Sequence, residues 1–67
     1  MYRIEVENAD ETVFMFQQNG LWDTVFESED SADTVALSLW QKYGETGKYS
    51  RFSVVDEHGV RLSDWEK

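Results

Sequence analysis

Two spacings of apolar residues alternate along this chain. In residues 2–7, Tyr2, Ile4 and Val6 fall on one side and Arg3, Glu5 and Glu7 on the other, the two-residue period of a half-buried strand. Residues 8–11, Asn-Ala-Asp-Glu, have the composition of a turn. Two runs rich in β-branched and aromatic residues follow, 12–18 and 21–27, separated by Asn19-Gly20. That dipeptide suits the two positive-φ positions of a type I′ turn and predicts a hairpin. From about Asp30 the spacing becomes helical, with Ala32, Val35, Ala36, Leu39 and Tyr43 on one stripe. It predicts a helix from about Glu29 to Tyr43, capped by Ser28 or Asp30 and stopped by Gly44. Alternation returns over 49–56, where Phe52 and Val54 share a face. A tight turn over 56–60, with Gly59 in the left-handed conformation, leads into a short strand at Val60–Leu62. The order β-β-β-α-β-β describes a single α+β domain over residues 1–67. Its expected plan is an antiparallel sheet of four to five strands with one helix packed on one face.

A turn at Asn19-Gly20 sets Val13 opposite Phe26, Met15 opposite Thr24 and Gln17 opposite Trp22 on one face of the hairpin. On the other face Phe14 meets Val25, Phe16 meets Asp23 and Gln18 meets Leu21. Both faces are apolar, and one helix covers only one of them. Trp22 and Phe26, which lead into the helix, are expected beneath it with Val13 and Met15. Phe14, Phe16, Leu21 and Val25 then lie outside as a second interface, a homodimer being its simplest form. A tail that folds Trp65 back over the patch, or a bulge that mixes the faces, would remove that interface.

Composition narrows the sources of stability. A chain of 67 residues buries only about 60% of its unfolded surface. It has no cysteine and one histidine, which excludes disulfides and the usual zinc clusters. Aromatic packing (three Trp, three Tyr, four Phe) and association are what remain. No apolar run approaches the roughly 20 residues of a membrane span, and the polar, acidic start "MYRIEVENADE" lacks a signal-peptide pattern. The expectation is a soluble, cytoplasmic protein.

The formal net charge is −8, and all of the excess lies in residues 1–40, where nine acids face one base, Arg3. Residues 41–67 balance five acids with five bases. Such a field repels nucleic acid and anionic membrane and favours basic partners. Aromatics on an open sheet can stack RNA bases, but phosphate binding needs positive charge that this region lacks. No direct nucleic-acid binding is expected.

Within "FESEDSADT" (26–34), Glu27, Glu29, Ser31 and Asp33 have the spacing of the first ligands of an EF-hand loop. The required glycine is Ala32 and the final carboxylate is Ser38, so the match fails. The same acids suit a helix start, where the dipole favours Glu29, Asp30 and Asp33 by about 0.3–1 kcal/mol each. Trp40 then falls at the edge of the buried stripe, with Asp33, Leu37 and Asp30 just beyond it. This makes an apolar-acidic flank suited to a basic protein partner. Asp56, Glu57 and His58 are consecutive in a turn and do not converge on one substrate. No nucleophile motif or glycine-rich phosphate loop is present. Neither an enzyme nor a cofactor or metal site is expected.

The leading expectation is a non-enzymatic inhibitor that occupies the nucleic-acid-binding surface of a basic protein. Its carboxylates, Glu5, Glu7, Asp10, Glu11, Glu27, Glu29, Asp30 and Asp33, would stand in for phosphates, with Leu37 and Trp40 as apolar anchors. The alternative is a small homodimeric structural or regulatory module whose acidity serves solubility. In size, acidity and one-helix-on-a-sheet plan the chain resembles the small phage-encoded anti-CRISPR and anti-restriction proteins, over its whole length. The resemblance implies a CRISPR effector or restriction enzyme as the target, blocked from DNA in the host cytoplasm. Those proteins share no common motif, so it assigns no individual residue.

Overall fold

The computed structural model describes residues 1–17 and 24–66. Its elements are β1 (Arg3–Asn8), β2 (Val13–Met15), α1 (Glu29–Tyr43), a 3₁₀ turn (Gly44–Thr46), β3 (Tyr49–Val55) and β4 (Arg61–Glu66). The strands form one antiparallel sheet in the order β2-β1-β3-β4, with α1 on one face. The α+β plan of one helix on an antiparallel sheet is as the sequence predicts. Among the described residues no helix is long and apolar enough to cross a membrane.

β1 and β2 are joined by a turn that closes on itself. Asn8 donates its amide to the Thr12 carbonyl at 2.8 Å, and Thr12 donates its amide and hydroxyl to Asp10 Oδ1 at 3.1 and 2.6 Å. Glu11 takes a left-handed φ of 74° to complete the reversal. The resulting register sets Val6 opposite Phe14 and Glu5 opposite Met15. Residues directly opposite in an antiparallel pair share a face. Phe14 therefore lies on the helix side with Val6, Phe52 and Trp65, and Phe16, which donates its amide to the Ile4 carbonyl at 2.8 Å, joins them. Val13 and Met15 go to the opposite face with Glu5 and Glu7. The expected assignment of these four residues is thus inverted, because β1 rather than residues 21–27 sets the register of β2.

The expected third strand is reduced, among the described residues, to a single bridge. Tyr2 and Phe26 exchange backbone hydrogen bonds of 2.9 and 2.8 Å, and Thr24 donates to the Phe16 carbonyl at 3.1 Å. Phe26 consequently meets Tyr2, not Val13, and Val25 is exposed. The predicted Asn19-Gly20 turn, with Leu21 and Trp22, lies outside the described residues.

The core is Ile4, Val6, Phe52 and Val54 of the two central strands under Ala32 and Ala36 of the helix. The two alanines, both fully buried, let the helix axis approach the sheet over β3. Larger, partly buried side chains pack around this core, Val35, Leu39, Trp40 and Tyr43 from the helix and Tyr2, Phe16, Phe26, Tyr49 and Trp65 from the rest of the chain. Burying each large aliphatic side chain here contributes about 1.5–3 kcal/mol.

Two further boundaries differ from expectation. β4 extends to Glu66 because Leu62 is accommodated as an extra residue between the Val55–Arg61 and Val54–Ser63 pairs. That shift keeps Ser63 and Trp65 on the helix side, so Trp65 belongs to the covered face as part of a strand. Gly44 does not stop the chain in a left-handed conformation: its φ of −62° is right-handed, and the reversal comes at Gly47, φ 76°. Gly44 is instead buried against the Trp40 ring, where an added Cβ would stand 2.9 Å from Cδ2.

Candidate functional site

The helix start is built as the sequence implies. Ser28 has an extended backbone (φ −128°, ψ 152°), and its hydroxyl accepts from the Ser31 amide at 3.1 Å. Glu29 and Asp30 occupy the first turn beside the free amides, where negative charge is favoured. The wheel then carries Asp33 and Leu37 up the flank toward Trp40, away from Leu39 and Tyr43. Leu37 is 40% exposed. Trp40 is half-buried and packs edge-to-face on Phe52 (6.0 Å, 70°), which fixes the upper end of the flank. Asp33 Oδ1 is shielded from solvent and has no hydrogen-bond partner among the described residues.

The other predicted contact acids are placed elsewhere. Glu5 lies on the uncovered sheet face and is neutralised there: Arg51 Nη2 stands 2.6 Å and Arg61 Nη2 3.4 Å from its Oε1. Arg51 is 5% exposed, so this pair is part of the scaffold. Glu7, on the same face, accepts from the Ser50 hydroxyl at 2.8 Å, and Asp64 accepts from Ser53 at 2.7 Å. Asp10 and Glu11 form the β1–β2 turn at the far end of the sheet from the helix start. There the Thr12 hydroxyl, and then its amide, hold the Asp10 carboxyl below its ordinary value of 3.8.

Topology also adds two acids to the helix end. Val55 is level with Arg3 and Phe26 with Tyr2, so the β3–β4 turn and the helix N-terminus share one end of the sheet. That turn holds Asp56 and Glu57. Asp56 is drawn below 3.8, first by the Val60 amide and also by that of His58. Among the described residues Glu57 meets the exposed His58, at 3.8 Å. Nothing local in the sequence links residues 56–57 to residues 27–33; the strand pairing does.

All three arginines lie on the uncovered face or at its edge, level with β1, β3 and β4. Lys42 and Lys48 sit at the opposite end, over the rings of Tyr43 and Tyr49. Among the described residues no ion pair reaches Glu27, Glu29, Asp30 or Asp33. Strung along a helix and its cap, these acids do not converge, and no cluster of three or more His, Cys, Asp or Glu among the described residues could hold a metal ion.

No family model, curated protein or solved structure matches the chain.

The site must therefore be read from its own chemistry. It is an acidic pole in which Glu27, Glu29, Asp30 and Asp33 have no ion pair among the described residues, with Asp56 and Glu57 at the same end, continued along one helix flank by Leu37 and the edge of Trp40. It offers acceptors and an apolar anchor.

Proposed function

We propose that this protein is a non-enzymatic, acidic protein-binding inhibitor that occupies the nucleic-acid-binding surface of a basic target. One observation carries the reading: on the sheet face Glu5 is paired with arginine and Glu7 and Asp64 accept from serine hydroxyls, yet Glu27, Glu29, Asp30 and Asp33 have no ion-pair partner among the described residues. A solvated acidic surface needs no apolar neighbour, whereas here Leu37 projects beside Asp30 and Asp33. Each free carboxylate would meet a Lys or Arg that otherwise neutralises a phosphate, and the counterions released from those bases would favour the complex as they favour DNA. Leu37 and Trp40 would supply the desolvated centre that distinguishes a specific contact from general attraction. The protein would act in the cytoplasm, where a CRISPR effector or restriction enzyme is the kind of target that fits.

The test is capture of basic proteins from host lysate on immobilised protein, repeated with excess duplex DNA. Displacement by DNA, together with loss of capture for Asp30→Lys/Asp33→Lys, supports the reading. Capture that is indifferent to DNA, to salt and to those reversals refutes it.

A further inference from the structure

The sheet ends in β4 on the side away from β2. An edge strand presents a row of backbone donors and acceptors to any chain that arrives extended. The two edges of this sheet differ. β2 has three residues, and just beyond it the Phe16 carbonyl accepts from the Thr24 amide. β4 has six, Arg61–Glu66, and among the described residues it pairs with β3 alone, so its outer side is open.

The free charges along that edge have one sign. Asp64 and Glu66 lie on the uncovered face, opposite Ser53 and Arg51, and both are exposed. Arg61, the base of this strand, leans inward to Glu5 at 3.4 Å. Glu66 has no ion pair among the described residues. On the helix side the strand carries Trp65, half-buried and opposite Phe52. Trp40 packs on that same Phe52 ring, so it stands above the sheet at the level of Trp65.

Charges on an edge commonly protect it, and here they disfavour a second copy. Two-fold antiparallel pairing of identical strands preserves their faces, so it must centre on a residue. Centred on Asp64 or Glu66, it sets that carboxylate against itself; centred on Trp65, it sets Asp64 against Glu66. Like charges directly opposite are destabilising. Farther back, Leu62 interrupts the register as an extra residue. The same two acids favour a strand whose facing residues are basic.

We propose that β4 binds an extended, basic segment of a protein partner as an added strand. Main-chain hydrogen bonds along Arg61–Glu66 would supply affinity, and alternate side chains specificity. One set, Lys or Arg, would meet Asp64 and Glu66. The other, apolar, would lie beside Trp65. This inference goes beyond the inhibitory reading, since it requires neither a nucleic-acid-handling target nor the acids of the helix end.

The probes are three end-blocked peptides: Lys-Val-Lys-Val-Lys-Val-Lys, its counterpart with Glu for Lys, and a block sequence of the first one's composition, Lys-Lys-Lys-Lys-Val-Val-Val. Each is titrated into the intact protein at physiological ionic strength, with amide shifts and hydrogen exchange followed by two-dimensional NMR. The alternating basic peptide is expected to saturate, to shift the amides of Arg61–Glu66, and to slow exchange at alternate ones. The other two should not saturate. Asp64→Asn/Glu66→Gln should weaken the alternating peptide about tenfold, the value of two cross-strand charge pairs, in a protein whose circular dichroism is unchanged. Glu29→Gln/Asp30→Asn, at the helix end, should change it by less than about threefold, since exposed charges at that distance are screened. The proposal is overturned if the block or acidic peptide binds as tightly, if the shifts map away from β4, or if the two neutralised pairs weaken binding equally. Self-association of the protein alone that protects the same β4 amides overturns it as well.

Discussion

Gly44→Ala is the sharpest probe of how the helix end is held. In a right-handed conformation, φ −62°, glycine has no backbone advantage. Replacing it with alanine should restrict the unfolded chain and stabilise the fold by about 0.4–1 kcal/mol. Opposing this, the new methyl would stand 2.9, 3.0 and 3.1 Å from Cδ2, Cε3 and Cε2 of Trp40, inside van der Waals contact. Moving the indole aside would disturb its edge-to-face packing on Phe52, whose ring centre is 6.0 Å away. Overpacking of this kind costs about 1–3 kcal/mol, so the steric term wins and the net loss is about 1–2 kcal/mol. For a domain of this size that lowers the thermal midpoint by about 5–10 °C. The assay is urea unfolding followed by far-ultraviolet circular dichroism, in wild-type and Trp40→Leu backgrounds. With the indole gone the clash goes with it, so Gly44→Ala should become neutral or stabilising. The coupling between the two changes should then be about 1 kcal/mol or more. A Gly44→Ala protein as stable as wild type, or one equally destabilised in both backgrounds, would refute this account. Because Trp40 ends the proposed contact flank, the same substitution should also weaken target capture by displacing its ring.

Removing Arg51 alone should be severe: Arg51→Ala leaves Glu5 with only the half-exposed Arg61 at 3.4 Å, at a cost of about 2–4 kcal/mol in urea melts, whereas Glu5→Leu/Arg51→Met together should cost less than about 1 kcal/mol. Ser28→Ala removes the acceptor for the Ser31 amide and should cost about 1 kcal/mol, with faster amide hydrogen exchange confined to the first helical turn. Asp10 and Asp56 both titrate below 3.8 in the folded protein; a depressed carboxyl stabilises the fold above its unfolded value, and that contribution disappears as pH falls through the lower folded value. Unfolding midpoints measured downward from neutral pH should therefore drop below about pH 4, and less steeply in Asp10→Asn/Asp56→Asn.

The features written locally in the sequence were legible. The helix, its Ser28 cap and the left-handed Gly59 each depend on residues within a few positions of one another, and the structure has them as read. The faces of β2 were not, because a strand's inward side is set by its partner. The Asn19-Gly20 signal drew attention to residues 21–27, while the turn that sets the register, Asn8–Thr12, has no glycine. Its reversal uses Glu11 at φ 74°, a conformation that a glutamate does not advertise. Gly44 misled for a related reason: glycine after a helix usually supplies a positive φ, but here it supplies room for an indole four residues earlier. Only the packing distinguishes these uses. The contact flank was read from the wheel alone, whereas Asp56 and Glu57 joined the acidic pole through strand pairing that no local pattern reveals.

The same distinction decides what the acidity can do. Counting charges makes Glu5 and Asp30 equivalent members of one acidic half. In the fold Glu5 is an internal counterion, 16% exposed at its side chain and 2.6 Å from a buried guanidinium, while Asp30 is exposed and has no described cation. Reversing Glu5 places a second positive charge against Arg51, and the loss falls on folding. Reversing Asp30 removes only a modest dipole interaction of about 0.3–1 kcal/mol, and any larger loss must fall on a partner. An acidic protein that must also fold has to divide its carboxylates in this way, since those spent on internal arginines are screened from a basic surface. The inhibitory reading thus rests on the helix end and the β3–β4 turn. If binding tracks the sheet-face acids in variants that still fold, the negative surface that matters is not this pole.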